Sequence, residues 1–155
     1  FARLGLLTRQ KEEKMDIPFS GGCACRTIRY QCKGEPRYMG NCHCRDCQRA
    51  TGGPYFPAVL VRKEEFSITS GQPRWFQKLA DKGHPMKRAF CPSCGSPVFL
   101  INGANPNARV LYASSLDDPT WYVPMRDIYV SSAQPWDILH PDLPKDNLMP
   151  ERLKR

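Results

Sequence analysis

Seven of the eight cysteines fall into three tight groups, Cys23-x-Cys25, Cys42-x-Cys44-x-x-Cys47 and Cys91-x-x-Cys94. Sulfurs two or three residues apart converge on one point. A tetrahedral metal shell completed by groups from distant parts of the chain ties those parts together. Disulfides are the alternative use of so many cysteines. The opening FARLGLLTRQKEEKMDIP has too short an apolar section and no small-residue cleavage site to read as a secretory signal, so a cytoplasmic or nuclear setting and metal ligation are expected.

Each spacing has its own geometry. In extended chain, residues i and i+2 face the same way, so Cys23 and Cys25 can present two sulfurs from a strand or a strand end. A Cys-x-x-Cys pair needs a tight turn. FCPSCGSPVF supplies one, with Pro92 to stiffen it and Gly95 to take the positive φ that follows, inside a hairpin. Together these pairs make one closed four-thiolate site of structural type. The rival reading is a redox-active Cys91–Cys94 pair.

That leaves Cys32, Cys42, Cys44 and Cys47, which could close a second site. Yet TIRYQC alternates, placing Ile28, Tyr30 and Cys32 on one face, so Cys32 reads as a small core residue. His43, the other candidate fourth ligand, points away from its flanking cysteines in an extended Cys-His-Cys segment. An open site of three thiolates is therefore expected over a closed one. Three anionic sulfurs quench much of a zinc ion's charge, which suits capture of another thiol better than activation of water.

Fifteen prolines and eleven glycines cut the rest into short runs, and no stretch keeps a long helical period. Candidate strands are TIRYQC, FPAVLVR, FSITS, RWFQKL, MKRAFC, SPVFLI, ARVLYAS and DIYVSS, with a short helical turn at Arg45–Thr51 ended by Gly52-Gly53. The expected class is mainly β, small antiparallel sheets with one or two short helical turns. Residues 1–14 read as an N-terminal extension, 15–146 as one domain and 147–155 as a basic tail. No apolar run reaches the roughly 18 residues needed to span a bilayer.

The net charge of +8 invites a nucleic-acid reading, but residues 1–14 and 145–155 each carry four basic and two acidic side chains. Half the excess thus sits at the ends. Zinc on four thiolates and on three would bring the centre from +4 to about +1, a poor footprint for nucleic acid.

The segments GGCACRTIRY, GNCHCRDCQRATGG, RAFCPSCGSPVF, VLYASSLDDP and IYVSSAQPWDIL resemble the glutathione-dependent formaldehyde-activating enzyme family, which also takes in centromere protein V. The resemblance runs from about Ile17 to Asp146. It implies a zinc-stabilised β-tent holding two zinc ions, a structural one on Cys23, Cys25, Cys91 and Cys94 and a catalytic one on Cys42, Cys44 and Cys47. It also implies a carbon–sulfur lyase that joins glutathione, as co-substrate, to formaldehyde or releases it. Arg26 departs from the pattern, standing where the family usually has Gly after its second cysteine.

Around that site, His43 is the nearest imidazole for moving a proton, against the bland reading of a solvent or core histidine. Arg45 and Arg49 are candidates for the carboxylates of a glutathione-like ligand, against ordinary exposed helix charges. Trp75, Trp121 and Trp136 read as packing residues, and Asp117 and Asp118 as turn residues before Pro119. The partners expected are a small thiol and an aldehyde, not a membrane or nucleic acid. The competing class is a binding module with both zincs structural; a redox sensor is a third.

Overall fold

The structure is a computed structural model that describes residues 15–150. The proposed extension 1–14 and the last five residues of the proposed tail lie outside the described residues. The class is mainly β, as expected. Three strands, β1 (Phe19–Gly22), β2 (Arg29–Cys32) and β5 (Phe66–Ser70), form one antiparallel sheet in the order β1-β2-β5. The remaining eight form the second sheet: β3 (Tyr38–Cys42), β4 (Phe56–Arg62), β6 (Arg74–Leu79), β7 (Pro85–Phe90), β8 (Pro97–Asn102), β9 (Ala108–Tyr112), β10 (Asp127–Ile128) and β11 (Lys145–Asp146). Their order is β11-β10-β3-β4-β9-β8-β7-β6, with β10 parallel to both of its neighbours.

The period-two alternation of strands decides what faces what. Ile28, Tyr30 and Cys32 point to one side of the small sheet and are fully buried, as TIRYQC implied. They meet Val59, Val61, Ala89, Phe99 and Leu111 of the large sheet, and this is the main core. Trp121 packs edge-on against Phe19 and Trp75 against Phe99.

The opposite face of the large sheet is also apolar. Phe56 and Ala58 of β4, Leu100 of β8 and Tyr112 of β9 form a second cluster with Cys42, Cys47 and Ile128. An antiparallel sheet with one wet face would alternate with polar residues there. FPAVLVR does not alternate, because Val59 and Val61 face the main core and Phe56 and Ala58 the second cluster.

Some strand and packing expectations are corrected. DIYVSS holds only two residues in strand; Tyr129 takes a left-handed φ of 59°, and a 3-10 turn at Val130–Ser132 follows. Trp136 is 65% exposed and packs in no core, since its segment crosses the surface after that turn. Asp117 does more than turn the chain: it accepts hydrogen bonds from Arg29 and from Ser20 Oγ (2.6 Å), clamping the loop to β1 and β2. Asp118 behaves as expected, accepting from Thr120 N (3.0 Å) and Oγ1 (2.6 Å).

Candidate metal-binding and active site

Cys23 and Cys25 stand just past the end of β1, and Cys91 and Cys94 in the turn between β7 and β8. Their four sulfurs lie within 4.8 Å of one another, with Cys23 to Cys25 at 3.5 Å and Cys25 to Cys91 at 3.6 Å. Sulfurs about 2.3 Å from a zinc ion stand about 3.8 Å apart at tetrahedral corners, so this group fits zinc. Gly95 takes the expected positive φ (74°), and its amide donates to Cys91 O at 2.9 Å, which tightens the turn. Hydrogen bonding to Ser96 lowers the Cys94 thiol to about 5. Arg26 holds a left-handed φ of 65°, so the departure from the family pattern puts a side chain where glycine is at ease.

The second group is built at the end of β3. Cys42 is the last residue of that strand, paired with Ile128 of β10; Cys44 is the N-cap of helix α1 (Arg45–Thr51), and Cys47 lies within it. The helix stops where expected, at Gly52 in left-handed conformation. All three sulfurs lie within 4.8 Å of one another, and no fourth Cys, His, Asp or Glu among the described residues joins them. Cys32 is in the core between the sheets. Hydrogen bonds from Cys42 and Cys47 lower the Cys44 thiol to about 2, while the same bond pushes Cys42 up. One sulfur of the trio ionises readily; a metal would ionise all three.

His43 is turned away from the sulfurs, as its place between them required, and is buried (1% exposed). Its Nδ1 faces Asp137 Oδ2 at 2.7 Å and its Nε2 faces Asp127 Oδ1 at 3.2 Å. Asn41 Nδ2 also donates to Asp127 Oδ1, at 3.0 Å, and Gln48 Nε2 donates to His43 O (2.6 Å) and Ser132 O (2.9 Å). The loop carrying the three cysteines is thus fastened to β10 and to the segment carrying Asp137. Both ring nitrogens are engaged.

Sequence reasoning missed Arg88. It is buried on the outer face of β7, with Nη2 3.7 Å from Cys47 Sγ and Nη1 donating to Tyr112 Oη at 3.1 Å. Burial works against its charge, but the Cys47 sulfur and Tyr112 outweigh it and raise the pKa. An arginine in a strand ordinarily reads as a solvent-facing position, so MKRAFC held no signal. Asp127 and Asp137 were missed for a similar reason: short acidic positions in loop-like sequence look like turn residues.

Two hollows flank the trio. One, about 300 Å³, has Cys42 and Cys47 in its wall and is otherwise mostly apolar, with Phe56, Ala58, Leu60, Met86, Leu100 and Val110. The other, about 480 Å³, is lined by Arg49, Lys78, Arg88, Asp46 and Phe76. Arg49 is exposed at that cleft, and Lys78 is paired with Asp46 at 2.7 Å. Arg45 is also exposed, but donates to Gln48 Oε1 within the helix.

Fold and site define a class: a small β protein with two cysteine groups, one of four sulfurs and one of three, each able to hold zinc. The chain belongs to the glutathione-dependent formaldehyde-activating enzyme family, whose model matches residues 18–132. A crystal structure of a Rhodobacter sphaeroides protein is similar in fold, with a TM-score of 0.52 and 20% identity over 63% of this chain and 87% of that one. No curated protein matches the chain. Among the described residues, no helix is long and apolar enough to cross a membrane.

Proposed function

We propose that this chain is a zinc-dependent enzyme of carbon–sulfur lyase type. It binds a thiol such as glutathione at Cys42, Cys44 and Cys47 and adds it to, or releases it from, a small aldehyde such as formaldehyde. The observation that carries this reading is the three-sulfur group, which no fourth protein ligand among the described residues joins, with Cys42 and Cys47 in the wall of a cavity. Family membership supports the same chemistry. A cytoplasmic home, where thiols stay reduced, suits it.

In this reading Cys23, Cys25, Cys91 and Cys94 hold a structural zinc between the start of the small sheet and the hairpin of the large one. A second zinc on Cys42, Cys44 and Cys47 would supply an open position that favours the ionised form of a thiol. The rest falls to the chain's own residues. Arg88 offsets negative charge at Cys47 as an anionic sulfur approaches. The mostly apolar cavity holds the carbonyl carbon beside the sulfur, which makes the addition a positioned event. His43, held by two carboxylates, positions the Cys42–Cys44 backbone rather than carrying a proton. Arg49, at the cationic cleft, is placed to meet a ligand carboxylate; Arg45 serves that role less well because Gln48 engages it.

The test is NMR exchange between formaldehyde, glutathione and their adduct in the presence of zinc-loaded protein. Exchange accelerated at least tenfold, and lost in Cys47→Ala, is the expected result. Equal rates with and without protein would remove the enzymatic reading.

A further inference from the structure

The two sheets end in four edge strands, and three of them are guarded. β1 is bridged at Gly21 to Leu116, β11 has two residues, and β5 pairs with β2 in a broken register. Covered, short or irregular edges resist pairing with another chain. β6 has none of these features. Its six residues, RWFQKL, pair with β7 in unbroken register and include no proline or glycine.

Backbone groups alternate in direction along an antiparallel ladder, which fixes what β6 offers on its outer side. Gly103 N donates to Pro85 O at 2.7 Å on the β8 side of β7, so Met86 and Arg88 turn their backbone groups to β6. Their partners Lys78 and Phe76 therefore bond inward, in step with Ala80 N, which donates to His84 O at 2.9 Å. Trp75, Gln77 and Leu79 are left with N–H and C=O pointing away from the sheet, and no backbone group among the described residues meets them. Apolar side chains stand along the same edge: Trp75 is 45% exposed, Phe76 56% and Leu79 63%.

Charge selects the occupant. Residues 74–90 carry five basic side chains and one acidic, and Phe76 and Lys78 border the cleft that holds Arg49. Asp46 pairs with Lys78, while Arg49 and Arg74 have no carboxylate partner among the described residues. A second copy paired antiparallel about Phe76 would set Arg74 against Lys78, and like charges directly opposite destabilise a strand pair. The chain's own ends, 1–14 and 145–155, are net positive and have the wrong sign.

We infer that the outer edge of β6 binds an extended acidic segment of another protein, which adds to the sheet as a new edge strand. Its backbone completes the ladder at Trp75, Gln77 and Leu79. Residues opposite one another share a face, so a segment that alternates acidic and apolar side chains sets its carboxylates beside Arg74 and Lys78 and its apolar groups beside Trp75 and Leu79. This surface is independent of the thiol–aldehyde reading above and stands or falls without it.

The test is fluorescence anisotropy of a labelled heptapeptide of alternating glutamate and valine, amidated at its C-terminus, titrated with the zinc-loaded full chain. Saturable binding is expected, with the lysine–valine counterpart weaker by about tenfold or more. Gln77→Pro removes an outward N–H without taking a bond from the β6–β7 ladder, so it is expected to melt close to wild type and to weaken the peptide about tenfold. Two further peptides, N-methylated at every valine or at every glutamate, leave the protein untouched. One of these patterns is expected to lose the edge bonds and the other to keep them, since alternate N–H groups of an added strand face β6.

Absence of saturable binding, equal binding of the two methylated peptides, or Gln77→Pro binding as wild type overturns the proposal. So does a single-stranded oligothymidylate that binds as tightly as the acidic peptide and is indifferent to Gln77→Pro, which would make this edge a cationic patch for nucleic acid.

Discussion

The two cysteine groups are alike in ligand chemistry and opposite in surroundings. The four-sulfur group has two of its cysteines exposed, borders the small sheet and the β7–β8 hairpin, and is ringed by the hydroxyls of Thr27 and Ser96. The three-sulfur group is largely buried on the other face of the large sheet, between an apolar cavity and a cationic cleft, with a buried arginine against one sulfur. Closure with four ligands would serve to join distant chain segments. On the proposed reading, three ligands, a cavity and a compensating cation instead serve a ligand that comes and goes. Burial alone would have pointed the wrong way, since the more buried group is the one assigned to function.

The largest expected effect that sharpens this contrast is on the closed group. Cys91→Ser should cost about 4 kcal/mol or more, seen as a steep fall in melting temperature with loss of one zinc per chain. Cys47→Ala should cost much less and release only the other ion. If the two variants melt alike, the division into structural and functional groups is broken.

Next comes the fastening of the open group. His43→Ala leaves Asp127 and Asp137 buried without their imidazole, and should cost about 3 kcal/mol in chemical denaturation. A loss under about 1 kcal/mol would mean that the pairing does not hold the loop.

Arg88→Met should lower the affinity of the second zinc about tenfold in chelator competition, with Arg88→Lys recovering part of it. Equal loss at both metal sites would mark Arg88 as a packing residue. Smallest is Arg26→Gly, expected to raise stability by about 1 kcal/mol through relief of a left-handed residue beside the closed group. An unchanged or lower melting temperature would show that Arg26 makes compensating contacts.

The sequence made the cysteine groups, most strands and the short helix legible, because each depends on local spacing or alternation. What it hid has particular causes. β1 is FSGG, and glycine-rich sequence argues against a strand. Gly21 is required because a Cβ would come within 2.3 Å of Ser115 O, a long-range approach no local pattern reports. β3 carries Gly40 and Asn41 for comparable reasons: the first makes room for the Tyr38 ring, the second bonds Asp127 across the sheet. Arg88, Asp127 and Asp137 matter only through neighbours distant in sequence. Nothing in their immediate context distinguishes them from surface or turn residues.

The most direct test of an open three-sulfur site is a titration of the zinc-loaded chain with glutathione after its zinc content is measured. About two zinc ions per chain and saturable glutathione binding that disappears in Cys47→Ala is the expected result. Two zinc ions per chain with no response to glutathione would contradict it, and would make both groups structural.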